Sequence, residues 1–486
     1  MGNYKTYLGL LALACGLGLL LTPIVRWLAS RAGILDHPGT RKIHHRPIPL
    51  LGGLAVALAM WLPIAALWMY DNRVANLLRA QEAAVLQILL SGVAMLLLGI
   101  YDDLRGLNAR KKLMAQLPVA VALVVSGVGF QSITIPSLGS VSLGWAGPLL
   151  TLLWLIGITN AINLVDGIDG LACGVSFFAA ATIAAISIYN DNTVGAVIMT
   201  ALAGACLGFL PYNFNPARIF LGDTGSLFLG MTLAVSALVT SQKGTLAASL
   251  LIPVLVLGFP IIDTLLAMVR RAVRGKSMFS GDAGHIHHRL LARGLNHRQA
   301  SIIIYGFCLL CGLVALVTVM ENSAGMAFGF AALFVVLFAG LRALGYWKAL
   351  TQLGRTPERL HFKLLYHVAE AARCKLALAT EIEQIPQILQ SVCVEYQKPG
   401  FKISWPGNGH HQGGEHLWLA PGVDSLHSLP VETHEFTDTG MKLEFYLRRR
   451  DDQDELHLEK RNLLSTLAEA ANQRLAFLLK SPPPPS

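Results

Sequence analysis

Between residues 6 and 345 the chain is a succession of apolar runs of about twenty residues, each long enough to cross the hydrocarbon core of a bilayer. A bilayer offers no water to backbone N–H and C=O groups, so such runs fold as helices. The expected spans lie at 6–28, 50–70, 83–100, 113–131, 146–164, 171–190, 194–211, 224–242, 246–269, 300–320 and 325–345, about eleven in all. Hydrophobic residues make up 54% of the chain and charged residues only 14%. Soluble domains carry about a quarter charged residues, and the deficit here is confined to the region before residue 345. That region is expected to be an all-α polytopic membrane domain. Its first run lacks a small-residue cleavage site and reads as a retained span.

Basic loop residues orient the spans. Alternate loops carry Arg31, Arg41, Lys42 and Arg46; Arg105, Arg110, Lys111 and Lys112; Arg218; and Arg270, Arg271, Arg274, Lys276, Arg289 and Arg293. The opposite loops hold only Arg73, Arg79 and Lys243. The first set is therefore expected on the cytoplasmic side, with the N-terminus outside and the C-terminus inside. Clusters of acids, amides and histidines at 36–45, 102–103, 163–169, 213–223 and 282–289 fall on that same side. Ionisable groups beside hydrocarbon are costly and read as functional by default.

The net charge of +9 suits anionic lipid and phosphate-bearing ligands. With no basic helix or aromatic-basic stripe, it does not point to nucleic acid. Cys308 and Cys311 form a CxxC inside a span, where helix packing is the expected role. After the spans, 346–365 reads as a basic linker and 366–480 as a cytoplasmic α/β accessory domain of GAF-like pattern. That domain is expected to have a helix over 370–394, strands at 401–405, 416–419, 431–436 and 441–447, and a helix over 456–479. Residues 481–486 read as a disordered tail.

In the segment Asn163-Leu-Val-Asp-Gly-Ile-Asp-Gly, Asp166 and Asp169 would share one face of a helical turn, with Asn163 one turn before. Asp223, flanked by Gly222 and Thr224-Gly225, suits Mg²⁺ that also touches phosphate oxygens, or a helix cap. Asp102 and Asp103 cannot share a helical face; one is expected to face the site while the other pairs with Arg105 or Lys111. His285, His287, His288 and Arg289, like His44 with Arg41 and Lys42, suit oxyanion binding better than zinc. Acids for a divalent cation and cations for phosphate at one membrane face suit phosphoryl transfer. The chain has no Walker A sequence and no GxGxxG opening a helix, which disfavours an NTPase or kinase.

The order DxPxxRKxH with PxxGG (Asp36 to Gly53), Asp102-Asp103, NLxDGxDGLAxG (163–174), the stretch from Asn213 to Ser226 and HxHHRL (285–290) resembles the polyprenyl-phosphate N-acetylhexosamine-1-phosphate transferases over about residues 20–300. The HIHHRLL segment is similar to the branch that uses UDP-N-acetylglucosamine. The resemblance implies Mg²⁺-dependent (or Mn²⁺-dependent) attack of undecaprenyl phosphate on the β-phosphorus of a UDP-N-acetylhexosamine. UMP leaves, and a cell-envelope glycan such as O-antigen or teichoic acid is begun at the bacterial inner membrane. It further implies Asp102 and Asp103 as the catalytic pair by the lipid phosphate, and Asp223 and Asn163 at the metal. Lys42, Asp166, Asp169, Asn213 and Phe220 would hold the nucleotide, and His44, His285, His287, His288 and Arg289 the diphosphate or sugar. A homodimer is a further expectation. The rival reading is a transporter or channel, which would want ionisable groups facing each other at mid-span; only Asp263 lies deep enough. In a third reading the protein is a sensor whose C-terminal domain is its working part.

Overall fold

The computed structural model describes residues 4–36, 47–135, 139–241, 251–274, 284–320, 323–346, 356–407, 413–421, 423, 429–447 and 457–480. The chain divides into two compact units, the first formed essentially by residues up to Ala349 and the second by Leu350–Ser486.

The first unit is helical apart from short strands, the first two being β1 (Leu35–Asp36) and β2 (Ile48–Pro49): α1 (Tyr4–Arg31), α2 (Gly52–Met69), α3 (Arg73–Arg79), α4 (Glu82–Arg105), α5 (Ala109–Val125), α6 (Ala146–Val165), α7 (Leu171–Tyr189), α8 (Thr193–Asn213), α9 (Gly222–Ser241), α10 (Leu251–Val256), α11 (Gly258–Arg274), α12 (Ile286–Leu291), α13 (His297–Val319) and α14 (Ser323–Ala343). Among the described residues, nine helices are long and apolar enough to cross a membrane. The chain is a multi-pass membrane protein.

Two of the expected spans are not among those nine. The run at 113–131 becomes α5, only 17 residues long, with Arg110, Lys111 and Lys112 in its first turns. From Leu113 to Val125 its apolar part rises roughly 20 Å, short of a bilayer core of about 30 Å. Beyond it Ser126 and Gly127 turn the chain into an antiparallel hairpin, β3 (Ser132–Ile135) with β4 (Gly139–Ser142), which the hydropathy pattern did not reveal. The run at 246–269 is broken between α10 and α11. The latter is only 17 residues long and carries Asp263, Arg270, Arg271 and Arg274, while Leu265, Met268 and Val269 stay exposed on its apolar side.

Helices α8 and α9 form the centre of the unit, buried on nearly every side. Lipid drives no apolar association between helices, so close contact depends on small residues. A Cβ on Gly208 would stand 2.2 Å from the Cys15 carbonyl oxygen, and one on Gly204 would stand 2.5 Å from that of Leu11. These two positions let α1 lie against α8 backbone to backbone.

The second unit has α15 (Thr356–Leu378), α16 (Gln384–Glu395), a four-stranded antiparallel sheet and α17 (His457–Lys480). The strands are β5 (Gly400–Trp405), β6 (Gly414–Leu419), β7 (Val431–Glu435) and β8 (Lys442–Tyr446), in the order β6-β5-β8-β7. Its core joins Leu376, Leu389, Phe401, Phe445, Leu467 and Leu475. The single helix expected over 370–394 is two helices. Pro386 is tolerated only in a first helical turn, so the chain interrupts after Leu378 and restarts at Gln384.

Candidate active site

The N-terminal turn of α9 organises the site. Its leading backbone N–H groups have no intrahelical acceptor, and α4 supplies one. Asp103 accepts the Asp223 N–H at 2.9 Å, the Thr224 N–H at 3.1 Å and the Thr224 hydroxyl at 2.6 Å. Asp223 therefore is not the helix cap; Asp103 caps the helix from a neighbouring one, which leaves the Asp223 side chain for other work. Missing side chains permit the approach. A Cβ on Gly99 would lie 2.4 Å from the Asp223 carbonyl oxygen, and one on Gly53 only 2.1 Å from the Gly225 nitrogen. The PxxGG segment also pairs with the chain entering α9. The Phe220 N–H donates to the Pro49 carbonyl at 2.9 Å, and the Gly52 and Gly53 N–H groups donate to Phe220 and Leu221 at 3.0 and 2.9 Å. Gly53→Ala is accordingly expected to lower the unfolding midpoint in detergent, at a cost of roughly 3 kcal/mol. Gly9→Ala, which meets nothing within 4 Å, should leave that midpoint unchanged; equal midpoints for the two variants would refute the packing argument.

Around Asp223 three other helices contribute one side chain each. Asn163 of α6 donates from Nδ2 to Asp223 Oδ1 and contacts the Ser226 hydroxyl at 2.7 Å. Lys112 of α5 places Nζ 2.9 Å from Asp223 Oδ1 and 2.5 Å from Oδ2 of Asp102 on α4. Asp102 is 5% exposed, and its Oδ1 accepts the Leu107 N–H at 2.6 Å. The adjacent acids thus differ in task, as expected, but the partner of Asp102 is Lys112 and not Arg105 or Lys111. Asn108 caps α5 by accepting the Lys111 N–H at 2.9 Å and so sets the rotation that aims Lys112 inward.

Asp166 and Asp169 do not share a helical turn. Helix α6 stops at Val165, and 166–170 is a turn leading to Gly170 in the left-handed region (φ 78°). Asp169 ties this turn to the next loop, accepting from Asn215 Nδ2 at 2.9 Å and from the Ala217 N–H at 3.0 Å. Asn213 is buried and donates to the Ile219 carbonyl at 3.0 Å, bracing the same loop. Burial, together with the charges of Asp223, Asp103 and Asp169, holds the Asp166 carboxyl well above the usual carboxylate range. Such a concentration of acids is what a cation relieves.

Helix α12 lies over the Asp166 turn. A Cβ on Gly167 would stand 2.5 Å from Nε2 of His287, so glycine there admits the imidazole. His287 is 1% exposed, and among the described residues neither ring nitrogen has a hydrogen-bond partner. Burial first and His288 second push its pKa down to about 3, so the ring is neutral at physiological pH. His285 stacks parallel to it at 5.7 Å between centroids, and His288 lies at 4.3 Å. Arg289 donates to the Leu344 carbonyl at 2.7 Å and lies 4.1 Å over the Tyr346 ring, which ties α12 to the end of α14.

Of the residues expected at the site, Asp102, Asp103, Asn163 and Asp223 converge. Asp166 lies within electrostatic reach of them, and His287 sits against the Asp166 turn. Asp169, Asn213 and Phe220 frame the adjoining loops, Phe220 through its backbone. Lys42 and His44, with Arg41 and His45, lie outside the described residues. Sequence reasoning missed Lys112 and Asp263. The signal for Lys112 was present: three cations open α5, where the helix dipole disfavours them, so something else must hold them there. Asp263 accepts from His285 Nδ1 at 2.8 Å and from the Ile286 N–H at 2.7 Å. A carboxylate 22 residues earlier in the chain therefore joins the histidine group.

The sequence pattern described as glycosyl transferase family 4 matches residues 85–241, the stretch that supplies Asp102, Lys112, Asn163 and Asp223. A Bacillus subtilis protein named "Probable undecaprenyl-phosphate N-acetylglucosaminyl 1-phosphate transferase" is 38% identical over 288 residues, 59% of this chain and 78% of that protein. The chain belongs to the polyprenyl-phosphate N-acetylhexosamine-1-phosphate transferase family. The decaprenyl-phosphate N-acetylglucosaminephosphotransferase of Mycobacterium tuberculosis is 38% identical over 315 residues, covering 60% of this chain and 76% of its own. The undecaprenyl-phosphate alpha-N-acetylglucosaminyl 1-phosphate transferase of Escherichia coli K12 is 30% identical over 289 residues, 57% and 75% respectively.

Proposed function

We propose that this protein transfers N-acetylglucosamine-1-phosphate from UDP-N-acetylglucosamine to undecaprenyl phosphate at the cytoplasmic face of a bacterial inner membrane. The products are UMP and the lipid-linked first sugar of a cell-envelope glycan. The observation that carries this reading is the convergence of Asp102, Lys112, Asn163 and Asp223 from four helices.

An oxygen of the lipid phosphate attacks the β-phosphorus, a new P–O bond forms there, and the bond from that phosphorus to the bridging oxygen breaks. The electron pair leaves on the α-phosphate as UMP. A phosphate monoester has a second pKa near 6, so the acceptor is already dianionic at neutral pH and no side chain need remove a proton. Asp102 and Asp103 then serve geometry: the first holds Lys112, and the second holds the turn bearing Asp223. Lys112 sets a cation beside the reacting phosphates, and neutral His287 offers a ring N–H to an oxyanion.

Among the described residues no three His, Cys, Asp or Glu side chains form a ready metal cage. Mg²⁺ does not need one; it binds through one or two carboxylates and completes its shell with phosphate and water. Asp223 and Asp166 fit that demand, with Asn163 beside them. When bound, the ion would neutralise charge on the diphosphate.

The test is UMP release by the purified chain with undecaprenyl phosphate and a panel of UDP-sugars, with Asp223→Ala as the inactive control. Release is expected with UDP-N-acetylglucosamine, and EDTA should abolish it. No release from any UDP-N-acetylhexosamine, with Mg²⁺ or Mn²⁺, would overturn the proposal. All the side chains invoked lie in the first unit, so deletion of 356–486 is expected to leave kcat within about threefold of wild type, a difference of under 1 kcal/mol. Abolished turnover in a folded deletion variant would instead favour the sensor reading.

A further inference from the structure

A buried carboxylate is costly unless it is paired or hydrogen-bonded. Asp263 is 1% exposed, lies on α11, and has two partners on a different element. One oxygen takes the Ile286 N–H at 2.7 Å, capping α12; the other meets His285 Nδ1 at 2.8 Å. A carboxylate on Nδ1 fixes both the rotation of an imidazole and the nitrogen it presents. His285, held in this way, is itself 4% exposed and stacks parallel to His287, with 6° between the rings. The His287 ring in turn stands over Gly167, between Asp166 and Ile168. The order of support is continuous: Asp263, His285, His287, and then the turn that carries the acids.

The structure assigns Asp263 the role of positioning residue for His285, setting that ring so that, with a proton on both nitrogens, its Nε2–H donates to the diphosphate of the donor nucleotide. The inference rests on the transferase reading above and adds a residue to it. Asp263 touches no substrate; it acts through His285, and its second contact, the cap on α12, is the role that must be separated from this one.

A double-mutant cycle in the full-length chain separates them. Asp263→Ala, His285→Ala and the double variant are compared by kcat/KM for UMP release and by Kd for UDP. Asp263→Ala should lower kcat/KM by about 10- to 100-fold and weaken UDP binding. In the His285→Ala background the same change should cost less than about threefold, because the group it acts through is gone. A cap alone predicts the same further loss in both backgrounds, and that additivity would overturn the assignment. Asp263→Asn keeps one acceptor and guards against misfolding. It should unfold within a few degrees of wild type, yet show a loss that again disappears in the His285→Ala background; a loss that persists there counts against the assignment. The UDP arm distinguishes the two failures. Coupling in Kd without any UMP release would sink the transferase reading and leave the dyad standing, whereas additive losses in Kd and kcat/KM would sink the dyad alone.

Discussion

Lys112→Met is expected to abolish at least 99% of turnover and to destabilise the fold by about 3 kcal/mol. The second figure follows from leaving Asp102 buried without its cation, a loss typically larger than the net worth of the pair. Here the side chains are only 13% and 3% exposed, so solvent offers little relief. The first figure follows from removing the cation that lies 2.9 Å from Asp223, where charge develops during phosphoryl transfer. Adding Asp102→Asn to Lys112→Met removes the orphaned charge. The double variant should regain most of the lost unfolding midpoint and none of the lost activity. Unfolding in detergent and UMP release, measured on the same preparations, check both halves. A Lys112→Met protein with wild-type turnover would contradict the site described here.

Asp103→Ala tests the cap. It strands two backbone N–H groups and one hydroxyl at the start of α9, for an expected loss of about 3 kcal/mol. Asp103→Asn, which keeps one acceptor, should lose about 1 kcal/mol. Activity should fall in step with stability in this pair, because Asp103 reaches the chemistry by fixing the turn that bears Asp223. Asp223→Ala should behave in the opposite manner, losing activity with little change in the unfolding midpoint. If Asp103→Ala were inactive yet as stable as wild type, Asp103 would be acting on substrate and the division of labour between the two acids would be wrong.

Much of the fold was legible because the bilayer leaves few choices: apolar runs of about twenty residues had to be helices. The two departures have local causes. Cations consume the first turns of α5, and a break between Val256 and Gly258 leaves α11 with 17 residues, four of them charged. Hydropathy averaged over a window does not register either. In the site, Asp102, Asp103, Asn163 and Asp223 were recognisable by type and order. What they touch was not, because the contacts that decide their roles join separate elements: Lys112 to Asp223, Asp103 to Thr224, Asp263 to His285. Spacing along one helix also misled. Asp166 and Asp169 are three apart, as on a helical face, yet α6 ends at Val165 and the two acids face different neighbours.

The most direct measurement follows the β-phosphorus. UDP-N-acetylglucosamine labelled with ³²P at that phosphorus is incubated with the protein and undecaprenyl phosphate, and the products are partitioned between butanol and water. Transfer of a sugar phosphate carries the label into the lipid phase, one lipid-bound label for each UMP released, and Asp223→Ala and Lys112→Met leave it in water. Label recovered in water as UDP, with unlabelled sugar on the lipid, would mean that the sugar alone had moved and would contradict the account.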